Sequence, residues 1–185
     1  MRLSEPRVAP LPESDWPEEI KKLMGPGAGA GTAVNVFRTL AQYPGLMRRW
    51  MVFANHVLFK SSLPGREREL VILRIGWLCR AGYEWGQHVE IGKESGLTDE
   101  EIRRIKVGPV HTDWSDADRA LLQATDELHR DAFVCDETWT ALSQHFDEHQ
   151  RMDVVFAVGQ YNLVSMALNT FGVQLDDGVK GLEHP

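Results

Sequence analysis

Between residues 15 and 172 the apolar residues recur at three- and four-residue steps, and no stretch sustains the strict alternation a half-buried strand requires. A chain patterned this way hides its apolar faces by packing helix on helix, so the expected fold class is all-α, a single-domain multi-helix bundle. Its 185 residues are enough for one domain to bury a core without metal or disulfide staples. The expected organisation is a Pro-rich arm over residues 1–14, a helical domain over 15–172 and a polar tail over 173–185.

Start and stop signals divide the domain. In "SDWPEEIKKLM" Ser14 or Asp15 is placed to cap a helix whose first turn holds Pro17 and an acidic pair. Pro44-Gly45 separates two amphipathic stretches, "AVNVFRTLAQYP" and "GLMRRWMVFANHVLFKS". Pro64 and Gly65 open a helix expected to run to Gly82 as its C-terminal stop, and the next helix ends at Gly96. Thr98 and Glu101 have the spacing of a capping box. "GPGAGAGTA", residues 25–33, lacks the Lys-Ser/Thr of a phosphate loop and follows no strand, so it is expected to be a flexible loop.

The charge balance narrows the partners. A net charge of −7 and pI near 5.5 do not suit a nucleic-acid binder, which needs a basic face. The N-terminus has no apolar signal core. "VVFAVGQYNLVSMALNTFG" carries Gln160, Asn162 and Asn169, and reads as a buried core helix rather than a membrane span. Cys79 and Cys135 have neither CxxC nor zinc spacing, which fits a reducing, cytoplasmic setting without a metal site.

One stretch carries chemistry. The run 70–79 is apolar except for Arg74, and it leads directly into "CRAGYEWGQHVE". Glu84 and His88, at i and i+4, share a helix face, where the carboxylate can orient the imidazole and raise its basicity. Tyr83 can point a hydroxyl into the same hollow, and Trp85 can supply a low-dielectric wall that shifts their pKa values. Glu69, the last charge before the apolar run, joins the pair only if the two helices fold back on one another. Arg74 has three readings: snorkelling outward, pairing with a buried carboxylate, or holding a substrate carboxylate. A Glu–His pair at this spacing is also common on solvated helices. Trp77 and Trp85 suit a core, and Cys79 suits a small buried hydrophobe.

"RERELVILRIGWLCRAGYEWGQH", together with "GQYNLVSMALNTFGV", resembles the carboxymuconolactone decarboxylase family, which includes the alkylhydroperoxidase D-like proteins. The likeness covers residues 35–172 and is strongest over 66–90. It implies an all-helical fold of the alkylhydroperoxidase D-like type and homo-oligomers from dimer to hexamer. The peroxidase branch carries a Glu, then CxxC, then a His four positions after the second Cys. Here Glu69 and His88 match that Glu and His, while Ala81 and Glu84 stand at the two thiol positions and Tyr83 where that branch has another His.

The lost thiols shift the expectation from dithiol peroxidase chemistry toward the decarboxylase side of the family. The resemblance implies a cofactor-independent acid–base enzyme, a decarboxylase, related lyase or isomerase, acting on a small organic acid or lactone. His88 would transfer the proton, oriented by Glu84, while Tyr83 donates to an enolate oxygen. Glu69 would relay a proton or tune the pocket, and Arg74 hold the carboxylate. The alternatives are a residual peroxidase using Cys79, and a non-catalytic oligomeric binding protein.

Overall fold

The computed structural model describes residues 2–26 and 28–184. After a short 3-10 turn at Glu13–Asp15 come nine α-helices among the described residues. They are α1 (Glu18–Met24), α2 (Asn35–Leu40), α3 (Pro44–Phe59), α4 (Gly65–Leu78), α5 (Gly82–Glu94), α6 (Asp99–Val107), α7 (Asp116–Asp131), α8 (Asp136–Ser143) and α9 (Glu148–Phe171). Those residues form no strand, in keeping with the three- and four-residue periodicity.

Local chemistry sets most of the helix ends. Pro44 occupies the first position of α3, where its missing N–H costs nothing. Thr98 and Glu101 close a reciprocal capping box on α6, and Asp147 with Gln150 does the same for α9. Two boundaries differ from expectation. Ser14 and Asp15 do not cap α1; they lie in the preceding turn, and Pro17 takes the N-cap without a side-chain bond. α4 ends at Leu78 rather than at Gly82, because Arg80 turns the chain with φ 52° and Gly82 is already the first residue of α5. A three-residue corner therefore folds α5 back along α4.

The helix α4 is the axis of the bundle and packs against α5, α6, α7 and α9. Leu70, Val71, Ile72, Leu73 and Ile75 are all inaccessible to solvent, so the helix is apolar around most of its girth. Each such side chain contributes roughly 1.5–3 kcal/mol by leaving water. Arg74 is the exception within it, and it is buried too. Its Nε and Nη2 form a two-pronged pair with Asp126 on α7 (2.6 and 2.7 Å), and Nη1 donates to the carbonyls of Ile105 and Lys106. Of its three readings the structure shows the buried ion pair, which ties α4 to α7 and to the end of α6.

The flanking segments are packed onto the bundle. Arg7 and Val8 donate their backbone N–H groups to the Phe171 carbonyl, and Leu11 donates to that of Arg38. Of the Gly-rich stretch expected to be flexible, residues 25, 26 and 28–33 are described, and they wrap a buried carboxylate. Glu13 accepts from the amides of Gly29, Gly31 and Ala33 at 2.9, 3.0 and 2.7 Å. Those amides, converging on one carboxylate, hold the Glu13 pKa below its ordinary value. Residues 173–184 also fold back, over α5. A Cβ on Gly86 would lie 2.7 Å from Val179 Cγ1, so only glycine lets the segment pass so close.

α9 is the one helix, among the described residues, long and apolar enough to cross a membrane. Only one of its faces is the buried helix expected. Val154, Ala157, Val158, Val164 and Leu168 point inward, while Met152, Phe156, Leu163 and Met166 are exposed. On α3, Val52, Phe53 and Phe59 are exposed as well, and Phe53 meets Phe156 edge to face at 5.9 Å between ring centroids.

Candidate active site

The fold-back of α5 along α4 brings one carboxylate from each helix to one imidazole. Gly92, one turn beyond His88, permits the approach: a Cβ there would press within 3.2–3.3 Å of Leu97 and Leu73. As a result Glu69 Oε2 lies 2.6 Å from His88 Nδ1, across 19 residues of sequence. On the other ring nitrogen, Nε2 is 2.9 Å from Glu84 Oε1. The two contacts differ in quality. The first is a hydrogen bond, whereas Glu84 Oε1 lies outside hydrogen-bond alignment and has no partner elsewhere. We read the second contact as an ion pair. The carboxylate that orients the ring is therefore Glu69, not Glu84 as the spacing suggested.

All three groups are buried, with exposures of 0% for Glu69, 4% for Glu84 and 6% for His88. Burial alone would lower the His88 pKa, but the Glu69 and then the Glu84 carboxylate outweigh it and push it up to about 10. His88 is thus an imidazolium at neutral pH rather than a group poised near neutrality. Behind it, Arg68 Nε donates to Glu69 Oε1 at 3.1 Å, so the Glu69 carboxylate has a cationic partner on each oxygen.

Glu84 and His88 form one end of a cavity of about 280 Å³. α2 and α3 supply its apolar wall, chiefly Phe37, Trp50, Met51 and Leu58, and α9 contributes Gln160, Tyr161 and Val164. Among the lining residues, Asn55 and Phe59 are exposed and mark its mouth. Tyr161 stands edge-on to the His88 ring at 4.9 Å. Burial, then the Glu84 and Glu69 carboxylates, raise its pKa well above the ordinary phenol value, so it remains a neutral phenol.

The other residues singled out from sequence are placed differently. Tyr83 lines the cavity, but its hydroxyl donates to Asp176 at 2.6 Å and accepts from the Val36 amide, which leaves it no proton for an enolate. Burial and the bond to Asp176 push its pKa up. Trp85 faces away from the cavity into the core, stacks on Trp77 at 5.4 Å and donates to the His184 carbonyl, so it is not a substrate wall. Arg74 is equally remote, its donors spent on Asp126 and two carbonyls. The Cys79 thiol donates to Asn162 Oδ1 (3.1 Å) and lies outside the cavity, and burial raises its pKa. Among the described residues no group of three or more His, Cys, Asp or Glu side chains is placed to hold a metal ion.

The sequence reading missed three participants. Asp176 accepts from Tyr83, from Gln87 Nε2 (2.8 Å) and from the Asn35 amide (2.8 Å), clasping the cavity's edge to the start of α2. No local signal marks it. Gln160 and Tyr161 had a faint one, since they interrupt an otherwise apolar helix.

A profile of the carboxymuconolactone decarboxylase family matches residues 44–127, the segment that contains Glu69, Glu84 and His88. Over this segment the chain is similar to that family. Solved structures extend the likeness to nearly the whole fold. An alkylhydroperoxidase AhpD core, an uncharacterized peroxidase-related protein from Ralstonia eutropha, superposes with a TM-score of 0.79 at 21% identity, covering 92% of this chain and 93% of that one. A peroxidase-related protein from a Silicibacter species gives 0.77 at 17% identity, covering 96% and 95%. The debrominase Bmp8, solved with 2,3,4-tribromopyrrole, gives 0.75 at 15% identity, covering 94% of each chain. Identities this low establish a shared AhpD-like helical fold and nothing about activity. The comparison with curated proteins gave no match.

Proposed function

We propose that this protein is a cofactor-independent acid–base enzyme, a decarboxylase, related lyase or isomerase, acting on a small organic acid or lactone. The observation that carries the reading is the buried Glu69–His88–Glu84 array at the end of a largely apolar cavity. A protonated, buried imidazole held between two carboxylates and lining a cavity of ligand size is a proton donor placed against whatever enters. In this scheme the Glu84 carboxylate lines the reaction space beside His88, and His88 supplies the proton that neutralises a developing enolate. Glu69 holds the ring and stabilises its charged form. In a decarboxylation the C–CO2 bond breaks, its electron pair delocalises into the enolate, and carbon takes the proton from His88.

The thiol-peroxidase alternative gains no support, because neither cysteine lines the cavity and Cys79 is turned toward Asn162. We further propose that the protein assembles with copies of itself through the exposed apolar faces of α3 and α9, which a lone chain would leave in water. Both cysteines are free, which supports a cytoplasmic setting.

The test is CO2 release and ultraviolet change with 4-carboxymuconolactone, related β-keto and vinylogous acids, and uncharged lactones, each beside His88→Ala. The expected result is turnover that falls by roughly 10²–10⁴-fold in the variant. Turnover unaffected by His88→Ala refutes the assignment.

A further inference from the structure

We infer that the cavity takes an uncharged, one- or two-ring molecule that offers an O–H or N–H to Glu84, and that it rejects free carboxylates. This rests on the proton-transfer reading of the same site and narrows it to isomerase or lyase chemistry on an uncharged lactone, since a decarboxylase must admit a carboxylate. Three observations carry it.

The first is the absence of an anion holder. None of the residues lining the cavity is a lysine or arginine. Arg74 is engaged by Asp126, and Arg68 sits behind Glu69 and outside the lining. Among the described residues the cavity is lined by one cation, His88, and it has a carboxylate against each of its ring nitrogens. An entering carboxylate therefore meets the Glu84 carboxylate with no unspent positive charge to offset it, at a depth where water screens poorly.

The second is an open acceptor. Glu84 lines the cavity with 6% of its side chain still exposed, while its Oε1 is closed off beside His88 Nε2 without an aligned hydrogen bond, so the carboxylate meets the cavity through its remaining surface. Covering that surface leaves an acceptor unmatched, which is costly, unless the ligand offers an O–H or N–H. The neighbouring amide of Gln87 is already committed to Asp176.

The third is size and lining. At about 280 Å³ the space is roughly twice the ~150 Å³ apolar cavity that encloses one benzene. Phe37, Trp50, Leu58 and Val164 present hydrocarbon and aromatic surface to whatever occupies it.

The experiment is equilibrium binding of phenol, indole, toluene and benzoate to the full chain at pH 7, with the Met51 methyl signal as a reporter from inside the cavity. Phenol and indole are expected to shift Met51 and to bind at least about tenfold more tightly than benzoate, about 1.4 kcal/mol. Toluene, which lacks the donor, is expected to fall below phenol. In Glu84→Gln the preference for phenol over benzoate is expected to shrink by at least about tenfold, because the charge is gone. The comparison on the unaltered chain stands even if that variant fails to fold. Benzoate binding as tightly as phenol overturns the inference, as does failure of every uncharged probe to shift Met51. The two readings separate cleanly. Probe preferences as expected, with no turnover that depends on His88, sink the enzyme proposal alone. His88-dependent turnover confined to free carboxylic acids sinks the substrate class alone.

Discussion

His88 Nδ1 and Glu69 Oε2 are 2.6 Å apart in a pocket that solvent barely reaches, and they come from two helices joined by a three-residue corner. The bond has an energetic consequence as well as a chemical one. The His88 pKa is raised from an ordinary 6.5 to about 10, so the folded chain holds a proton that the unfolded chain releases. The resulting stabilisation is complete below about pH 6.5, declines as pH rises and is gone above about pH 10. Thermal unfolding followed from pH 6 to 10 should show the melting temperature falling across that range. Glu69→Gln should flatten the fall, and a histidine NMR titration should find the His88 ring still charged at pH 8. A neutral ring at pH 7 contradicts this account.

Arg74 is a structural residue of the α4–α7 contact. Arg74→Met removes the partner of the partly exposed Asp126 and of the carbonyls of Ile105 and Lys106, and should destabilise the chain by about 1–3 kcal/mol in chemical denaturation. Arg74→Lys should recover only part of that, since an ammonium cannot reproduce the two-pronged geometry. Phenol affinity measured on the folded fraction should stay unchanged. A loss of affinity without a loss of stability would return Arg74 to the cavity.

Asp176 holds the edge of the site together through Tyr83, Gln87 and the Asn35 amide. Asp176→Ala leaves those donors unmatched, at a cost of about 1–3 kcal/mol. Limited proteolysis should then cut within residues 174–184 faster than in the unaltered chain, and probe binding should weaken. Unchanged proteolysis and binding would show that the clasp is incidental.

Phe156 and Phe53 meet edge to face on an apolar surface that the single chain leaves exposed. If copies assemble there, Phe156→Glu should move the mass measured by light scattering toward a single chain, because burying the new carboxylate in an apolar contact is costly. A lone-chain mass for the unaltered protein would remove the self-association proposal.

Properties that depend on neighbours along the chain were legible in the sequence. The helical periodicity, the Thr98–Glu101 capping box, the break at Pro44 and the shared face of Glu84 and His88 all follow from spacings of one to four residues. The α4–α5 corner was misplaced because the left-handed turn fell on Arg80, a residue with no marked preference for it, while Gly82 advertised a stop that it does not make.

What the sequence determined by itself, then, is an all-helical chain with an ionisable cluster just past its most apolar helix. The tertiary structure decided which members of that cluster face the cavity and what state they hold. Arg74 and Trp85 have the composition of a binding site, yet α4 and α5 turn them toward Asp126 and the core. Glu69 becomes part of the site only because α5 folds back along α4, with Gly92 permitting the close approach. Asp176 arrives from the chain's far end and Tyr161 from α9. The physical reason is that proton affinity and ligand choice depend on burial and on charges a few ångströms away in space, and residues that distant in sequence leave no local pattern.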